Sequence, residues 1–414
     1  MFPPATRFSF LAALLLSVTA ACSGDGGSDA AAPQEPPARD PGKGEWVPVP
    51  RDEVAEKCRL DPDLLDEVDR TLNLQWGIVR YGRLCHEFYP GGEAQITTRQ
   101  ENFSATKTLG AAVVGIAEYQ TRDLPKNGRK TGPLSDTDRV DHWLDSFTFN
   151  PDAQVGHVLG MVAFNANLGW GQKTFAYDTV GDREINRLSD VVNTVIAQDP
   201  GRFGQNLEEF TQRFLFEPLG MQHSIWSGGE PNKVFAFTWS SPLRDMMRFG
   251  LMLLNDGVWS GERILGADWV YRMTHPSFED AQFGYGYLTW LEGKTAASTT
   301  CMPSTVHAKY PHGISQAPDC NSPVTTLDCS QEYDVGVWHA NGLGGQFVIG
   351  MKALDMVIVL KDFGQYNNIG IAALPVFLWP IVRPAVVARD PKYAGDDTGF
   401  CDAYGNNRYA PDLR

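Results

Sequence analysis

Ser104 and Lys107 lie three residues apart in the segment ENFSATKTLGAAVVGIAEY. On a helix that spacing puts a hydroxyl and an amine on one face, within reach of each other. A serine hydroxyl at its free pKa is a weak nucleophile and needs a base to take its proton. A lysine can be that base only when neutral, and burial among apolar neighbours lowers its pKa. The small and aliphatic residues after Lys107 continue for about four turns, which predicts a buried helix with Ser104 at its start. A helix start also lends the Ser104 backbone N–H to a developing oxyanion. By itself S-x-x-K is expected about once by chance in a chain of this length, and a solvated serine and lysine fit it equally well.

Two further residues follow in an informative order. Tyr177 stands in FAYDTVGDREINRLSDVV, and His339 opens HANGLGGQF before a β-branched run. Taken singly, the first fits a core aromatic and the second a strand histidine. Other candidates have weaker settings. Lys294-Thr295-Ala296 has no Gly-Gly or strand after it, and Gly313-Ile314-Ser315-Gln316-Ala317 misses the G-x-S-x-G elbow and has Pro and Cys neighbours. His86 and His142 lack a sequence context that would make either the base of a Ser-His-Asp triad. No C-x-x-C or H-E-x-x-H occurs and the eight histidines are scattered, so neither a metal nor an organic cofactor is expected.

Elements must bring these residues together. DPDLLDEVDRTL reads as a helix opened by Asp61-Pro62, and WGIVRYGRLCHEFY as a hairpin turning at Tyr81-Gly82. From about 120 to 250 the pattern is mostly helical: DHWLDSF, VGHVLGMVAF, INRLSDVVNTVIAQ, LEEFTQRFLF and SPLRDMMRFGLMLLND. VGVWHANGLGGQFVIGMKALDMVIVLKDF reads as strands separated by Gly turns. The expected class is therefore α+β: an antiparallel sheet from both ends of the chain, flanked by helices, with a helical insertion at about 120–240.

At 414 residues, 43% hydrophobic and 21% charged, the chain can bury a large core, which excludes a disordered or coiled-coil protein. With 35 basic and 50 acidic residues its formal charge is −15, which disfavours binding to nucleic acid or to anionic lipid. Residues 1–21 carry Arg7, the apolar run FLAALLLSV and small residues before Cys22, the layout of a secretory signal. Cys22 sits where a lipobox places its acylated cysteine, so membrane contact is expected through that lipid alone. Residues 22–45 read as a disordered tether and 46–414 as one catalytic domain. The six remaining cysteines suit an exported chain. Packing of the first helix on the hairpin predicts a Cys58–Cys85 bridge; pairing among Cys301, Cys320, Cys329 and Cys401 stays open.

Serine with lysine, then a Y-x-N-like tyrosine, then an H-x-G-like segment followed by Gly-Gly resembles the serine β-lactamase, penicillin-binding-protein and esterase superfamily. GIVRYGRLCHEFYPGG, FEPLGMQHSIW and RDMMRFGLMLLNDGVWSGERIL extend the likeness over most of the mature chain. The resemblance implies a β-lactamase/transpeptidase-like fold. It implies Ser104 as acylated nucleophile, Lys107 as its base, Tyr177 as proton relay and His339 as the third-motif residue. Ser104 and Gly342 would supply the oxyanion N–H groups, with Asn341 and Thr179 lining the substrate site. Two departures bear on substrate. Thr179 replaces an asparagine whose amide could hold a substrate carbonyl, and His339 replaces a lysine, offering an imidazole instead of a permanent cation. The expectation is an exported serine hydrolase acting on a small-molecule or short-peptide ester or amide, nearer to esterases and 6-aminohexanoate-dimer hydrolases than to penicillin-hydrolysing relatives. The alternatives are a D-Ala peptidase or β-lactamase, and a non-catalytic binding protein of the same fold.

Overall fold

In the computed structural model, residues 40–148, 150–164, 175–182, 184–226, 234–278, 285–292, 337–361, 382, 384–386 and 388–390 are described. The signal segment, Cys22, Lys294, the Gly313–Ala317 segment and Cys301, Cys320, Cys329 and Cys401 lie outside them. All described residues belong to the compact unit Pro37–Arg414.

Helix α1, Pro62–Leu72, starts where the sequence signals it. Asp61 caps it by accepting the N–H groups of Asp63 and Leu64 at 3.0 and 3.2 Å, and Pro62 fills the first helical position. Asn73 ends it in the left-handed region. Leu65, Val68 and Leu72 form its buried stripe. The hairpin follows, with β1 Gln75–Arg80 and β2 Arg83–Phe88. Tyr81 at φ 51° and Gly82 at φ 68° make the two-residue left-handed turn whose twist suits a hairpin.

Next come α2 (Thr106–Thr121), α3 (Arg187–Ile196), α4 (Leu243–Leu254) and α5 (Ala267–Thr274). The strands β3 Trp290–Glu292, β4 Val337–Gly342, β5 Gln346–Met351 and β6 Met356–Lys361 complete the main sheet. Its order is β2-β1-β6-β5-β4-β3, antiparallel throughout. Strands from the two ends of the chain thus join in one sheet through the β1–β6 pairing, and the helical segments lie between them in sequence, as the α+β reading expects.

Both sheet faces are covered. Val79, Trp338, Ala340, Val348, Val357 and Val359 pack with α2 and α4 on one face. Trp76, Ile78, Phe347, Ile349, Met356, Ile358 and Leu360 pack with α1, Val382, Ala385 and Val386 on the other. Two buried faces explain why β6 reads as an unbroken apolar run instead of an alternating one.

Some expected elements are shorter than the sequence suggested. The DHWLDSF helix is a single turn, Val140–Trp143. The carbonyls of Asp141, His142 and Leu144 accept from Arg129 Nε, the Lys130 N–H and an Arg129 terminal nitrogen, and these bonds replace continuation of the helix. VGHVLGMVAF keeps only Val155–Leu159. Residues 40–45, assigned to the tether by composition, are held against the body. Arg248 donates to the carbonyls of Gly42 and Gly44, and Asp40 accepts from Ser260.

Cys58 and Cys85 form a disulfide that spans 27 residues and sits in the α1-side core. Loop entropy assigns such a bridge about 3 to 4 kcal/mol. The Cys58→Ala/Cys85→Ala double variant is expected to lose about that much in denaturant unfolding. An unchanged midpoint would show that the bridge carries no such stability.

Candidate active site

Ser104 sits on a sharp turn. Asn102 donates its backbone N–H to Trp239 O at 2.7 Å, Phe103 adopts a φ of 45°, and the Ala105 N–H returns to Asn102 O at 3.1 Å. This turn runs straight into α2, whose residues are buried almost all round from Thr106 to Ala117. Ser104 and Lys107 are consequently one helical turn apart at the start of a core helix.

Lys107 is 1% exposed. Its Nζ lies 3.0 Å from Ser104 Oγ, 3.1 Å from Thr179 O and 2.8 Å from Ala236 O. Burial pushes its pKa down to about 7, against the opposing pull of the Asp178 charge. A neutral amine has two N–H donors and one lone pair. With the two carbonyls taking the N–H groups, the lone pair is left for the Ser104 hydroxyl proton.

Asp178 builds the opposite wall. Its carboxylate accepts the N–H groups of Gly181, Glu184 and Ile185 at 3.0, 2.9 and 3.2 Å. That gathers the chain into a tight loop and presents the neighbouring Tyr177 and Thr179 to Lys107. Asn186 Oδ1 accepts the Ala236 N–H at 3.2 Å and so holds the second carbonyl segment to the same loop. The Tyr177 ring centroid is 5.0 Å from Lys107 Nζ. Burial raises the Tyr177 pKa to about 12, only partly offset by Ser104 and Trp290 nearby, so it is a phenol at neutral pH. Among the described residues its hydroxyl has no hydrogen-bond partner.

Gly342 closes the site from the sheet. A Cβ there would lie 2.1 Å from Asn102 O, so only glycine lets the end of β4 approach the Ser104 turn this closely. The β3–β4 ladder covers Val337 to His339 and, among the described residues, leaves Ala340–Gly342 without a partner strand on that side.

The structure therefore brings Ser104, Lys107, Tyr177 and the Thr179 backbone together, with Gly342 against the same turn. The Thr179 side chain is exposed; it is the carbonyl that engages Lys107. His339 and Asn341 are buried on β4, opposite Ile349 and Phe347, and so share the α1-side face while α2 packs on the other. The His339 ring is 6.4 Å from that of Phe347. Its described link to the site is Trp290, opposite it across the β3–β4 ladder, whose ring is 5.2 Å from Tyr177. His86 pairs with Asp69 and His142 with Thr131 O, and neither contact involves a serine. Among the described residues no three His, Cys, Asp or Glu side chains gather as a metal site. Sequence reasoning missed Asp178, Asn186, Trp290 and the Ala236 carbonyl; the D-x-x-G run from Asp178 to Gly181 is the one signal that could have found the loop.

No protein-family model matches the chain, and no curated protein matches it at a significant level. Solved structures do. A protein from Bacteroides dorei DSM 17855 described as a beta-lactamase superposes with a TM-score of 0.53 at 16% identity, covering 79% of this chain and 99% of that one. A family VIII carboxylesterase gives a TM-score of 0.51 at 13% identity, covering 82% of this chain and 98% of that one. Likeness at such identities concerns architecture: the chain shares the α+β fold of these two proteins.

Proposed function

We propose that this protein is a serine hydrolase that cleaves a neutral ester or amide through an acyl-enzyme on Ser104. The observation that carries the reading is Lys107 Nζ, 3.0 Å from Ser104 Oγ, buried and occupied on its other sides by two carbonyls. Neutral Lys107 takes the hydroxyl proton as Oγ attacks the substrate carbonyl carbon. The N–H groups of Ser104 and Gly342 receive the oxyanion. As the tetrahedral species collapses, Tyr177 gives its proton to the leaving oxygen or nitrogen, and the proton held by Lys107 restores the phenol. Water then repeats the sequence on the acyl-enzyme, releasing the acid and free Ser104.

The rim supports a neutral, apolar acyl group. Val180, next to Thr179, is 50% exposed, and Leu343, next to Gly342, is 58% exposed. Large apolar side chains left in water at a site rim favour apolar ligands. A lipid on Cys22 would place the enzyme in the bacterial cell envelope, a location that the Cys58–Cys85 bridge also suits.

A fluorophosphonate probe followed by peptide mapping is expected to label Ser104 in the wild type and nothing in Ser104→Ala. Ester turnover should fall by several orders of magnitude in Ser104→Ala and nearly as far in Lys107→Ala, because the pair acts as a unit. Retention of more than about a tenth of the activity in Ser104→Ala would remove the assignment.

The sign of the pH dependence follows from the base. Lys107 works only when deprotonated, and its pKa is lowered to about 7. Activity (kcat/KM) should climb as pH rises through about 7 and level off above it, up to the range where Tyr177 loses its proton, about 12. A profile that falls as pH rises from 6 to 8 would contradict Lys107 as base.

Substrate preference is measurable directly. Short-acyl p-nitrophenyl esters are expected to be hydrolysed with higher kcat/KM than penicillins or cephalosporins. The reverse order would overturn the neutral-substrate reading and leave acyl transfer standing.

A further inference from the structure

Lys361 ends β6 and is fully buried. Its Nζ donates to the side-chain oxygen of Asn102, to Ser241 O at 2.9 Å and to Gln100 O at 3.4 Å, with Met246 Sδ at 3.5 Å. Three oxygen acceptors around one nitrogen match the three donors of an ammonium. Burial still pushes its pKa down to about 7, while Asp245 on α4 pulls it up. A lysine inside a core costs more than an apolar residue of the same shape, so packing alone does not account for it.

Its position in the sheet suggests what it does. Lys361 is in register with Gln75 of β1 and Gln346 of β5, and Gln346 with Gly342 of β4. This row lies on the α2 face at the end of the sheet nearest the Ser104 turn. Asn102 joins the two: its side chain accepts from Lys361 and donates to Ser241 Oγ at 2.8 Å, while its carbonyl faces Gly342. We propose that Lys361 is a positioning residue for acyl transfer, pinning Asn102 and thereby the spacing between Ser104 and the Gly342 edge.

The inference rests on the acyl-enzyme reading. The test uses the full chain as wild type, Lys361→Met, Asn102→Ala and the double variant. Fluorophosphonate labelling of Ser104, kcat and KM for a short p-nitrophenyl ester, and the thermal midpoint are measured for each. Lys361→Met should lower kcat by about 10- to 100-fold, the scale of a misplacement near 1 Å, with KM changed by less than about 3-fold and the midpoint kept or raised. Asn102→Ala should lower kcat likewise, with a lower midpoint because it takes a partner from buried Lys361 and from Ser241 Oγ, and kcat of the double variant should be no lower than in either single one, since both act through one contact.

A folded Lys361→Met with unchanged kcat overturns the proposal, as do losses that multiply in the double variant. If Lys361→Met fails to fold, Asn102→Ala decides: unimpaired kcat there overturns the proposal, and a selective fall in kcat supports it. An unlabelled Ser104 in the wild type overturns the acyl-enzyme reading and this inference with it. A labelled wild type beside an unimpaired Lys361→Met overturns this inference alone.

Discussion

Everything in the site depends on keeping one amine neutral. Moving the Lys107 pKa from 10.5 to about 7 means disfavouring the ammonium by on the order of 5 kcal/mol relative to water. The core helix α2 provides that by burying Lys107 from all sides, and the two carbonyls satisfy its N–H groups so that burial leaves no unmet donor. The carbonyls come from two separate stretches, 179 and 236, so the base exists only when the Asp178 loop and the segment before Trp239 are both seated. Catalytic competence on this reading is a property of the tertiary fold, absent from any isolated helix.

The second constraint is the approach of β4 to the Ser104 turn. Gly342 and Asn102 O are closer than any side chain would permit. The strands that flank β4 are β5 and β3, and α1 with the disulfide covers the face behind the sheet. A sheet packed on both faces has little freedom to shift, which suits a device whose donors must wait at fixed distances for charge to develop.

What the sequence disclosed, and what it hid, follows from the kind of group involved. The S-x-x-K pair, the capped α1 and the Tyr81-Gly82 hairpin are legible because each rests on a side-chain type at a fixed local spacing, and the Cys58–Cys85 bridge because the helix between its cysteines packs back on the hairpin. The Thr179 and Ala236 carbonyls are not, since every residue carries a carbonyl and only the fold decides which one reaches Lys107. The same holds at Gly42 and Gly44. Their low-complexity surroundings read as tether, yet their backbone oxygens bind Arg248. Lys361 looked like the end of an apolar strand, and its partner Asn102 lies 259 positions away. The one-turn helix at Val140 was over-read because apolar periodicity does not reveal competing bonds from Arg129 and Lys130.

On the proposed reading, the way in which Lys107 becomes a base also bears on what the site can act upon. Its pKa is lowered by burial, and the Asp178 charge works in the opposite direction. Among the described residues no cation helps to drive the proton off. A substrate that brings a carboxylate into such a site stabilises the ammonium, raises the Lys107 pKa and so removes base at neutral pH just as the substrate binds. A neutral ester does the reverse: it displaces water and deepens the desolvation on which the base depends. The exposed Val180 and Leu343, next to Thr179 and Gly342, would extend that desolvation outward. On the proposed acyl-enzyme reading, preference for neutral substrates would follow from how the nucleophile is activated, before any pocket shape is considered.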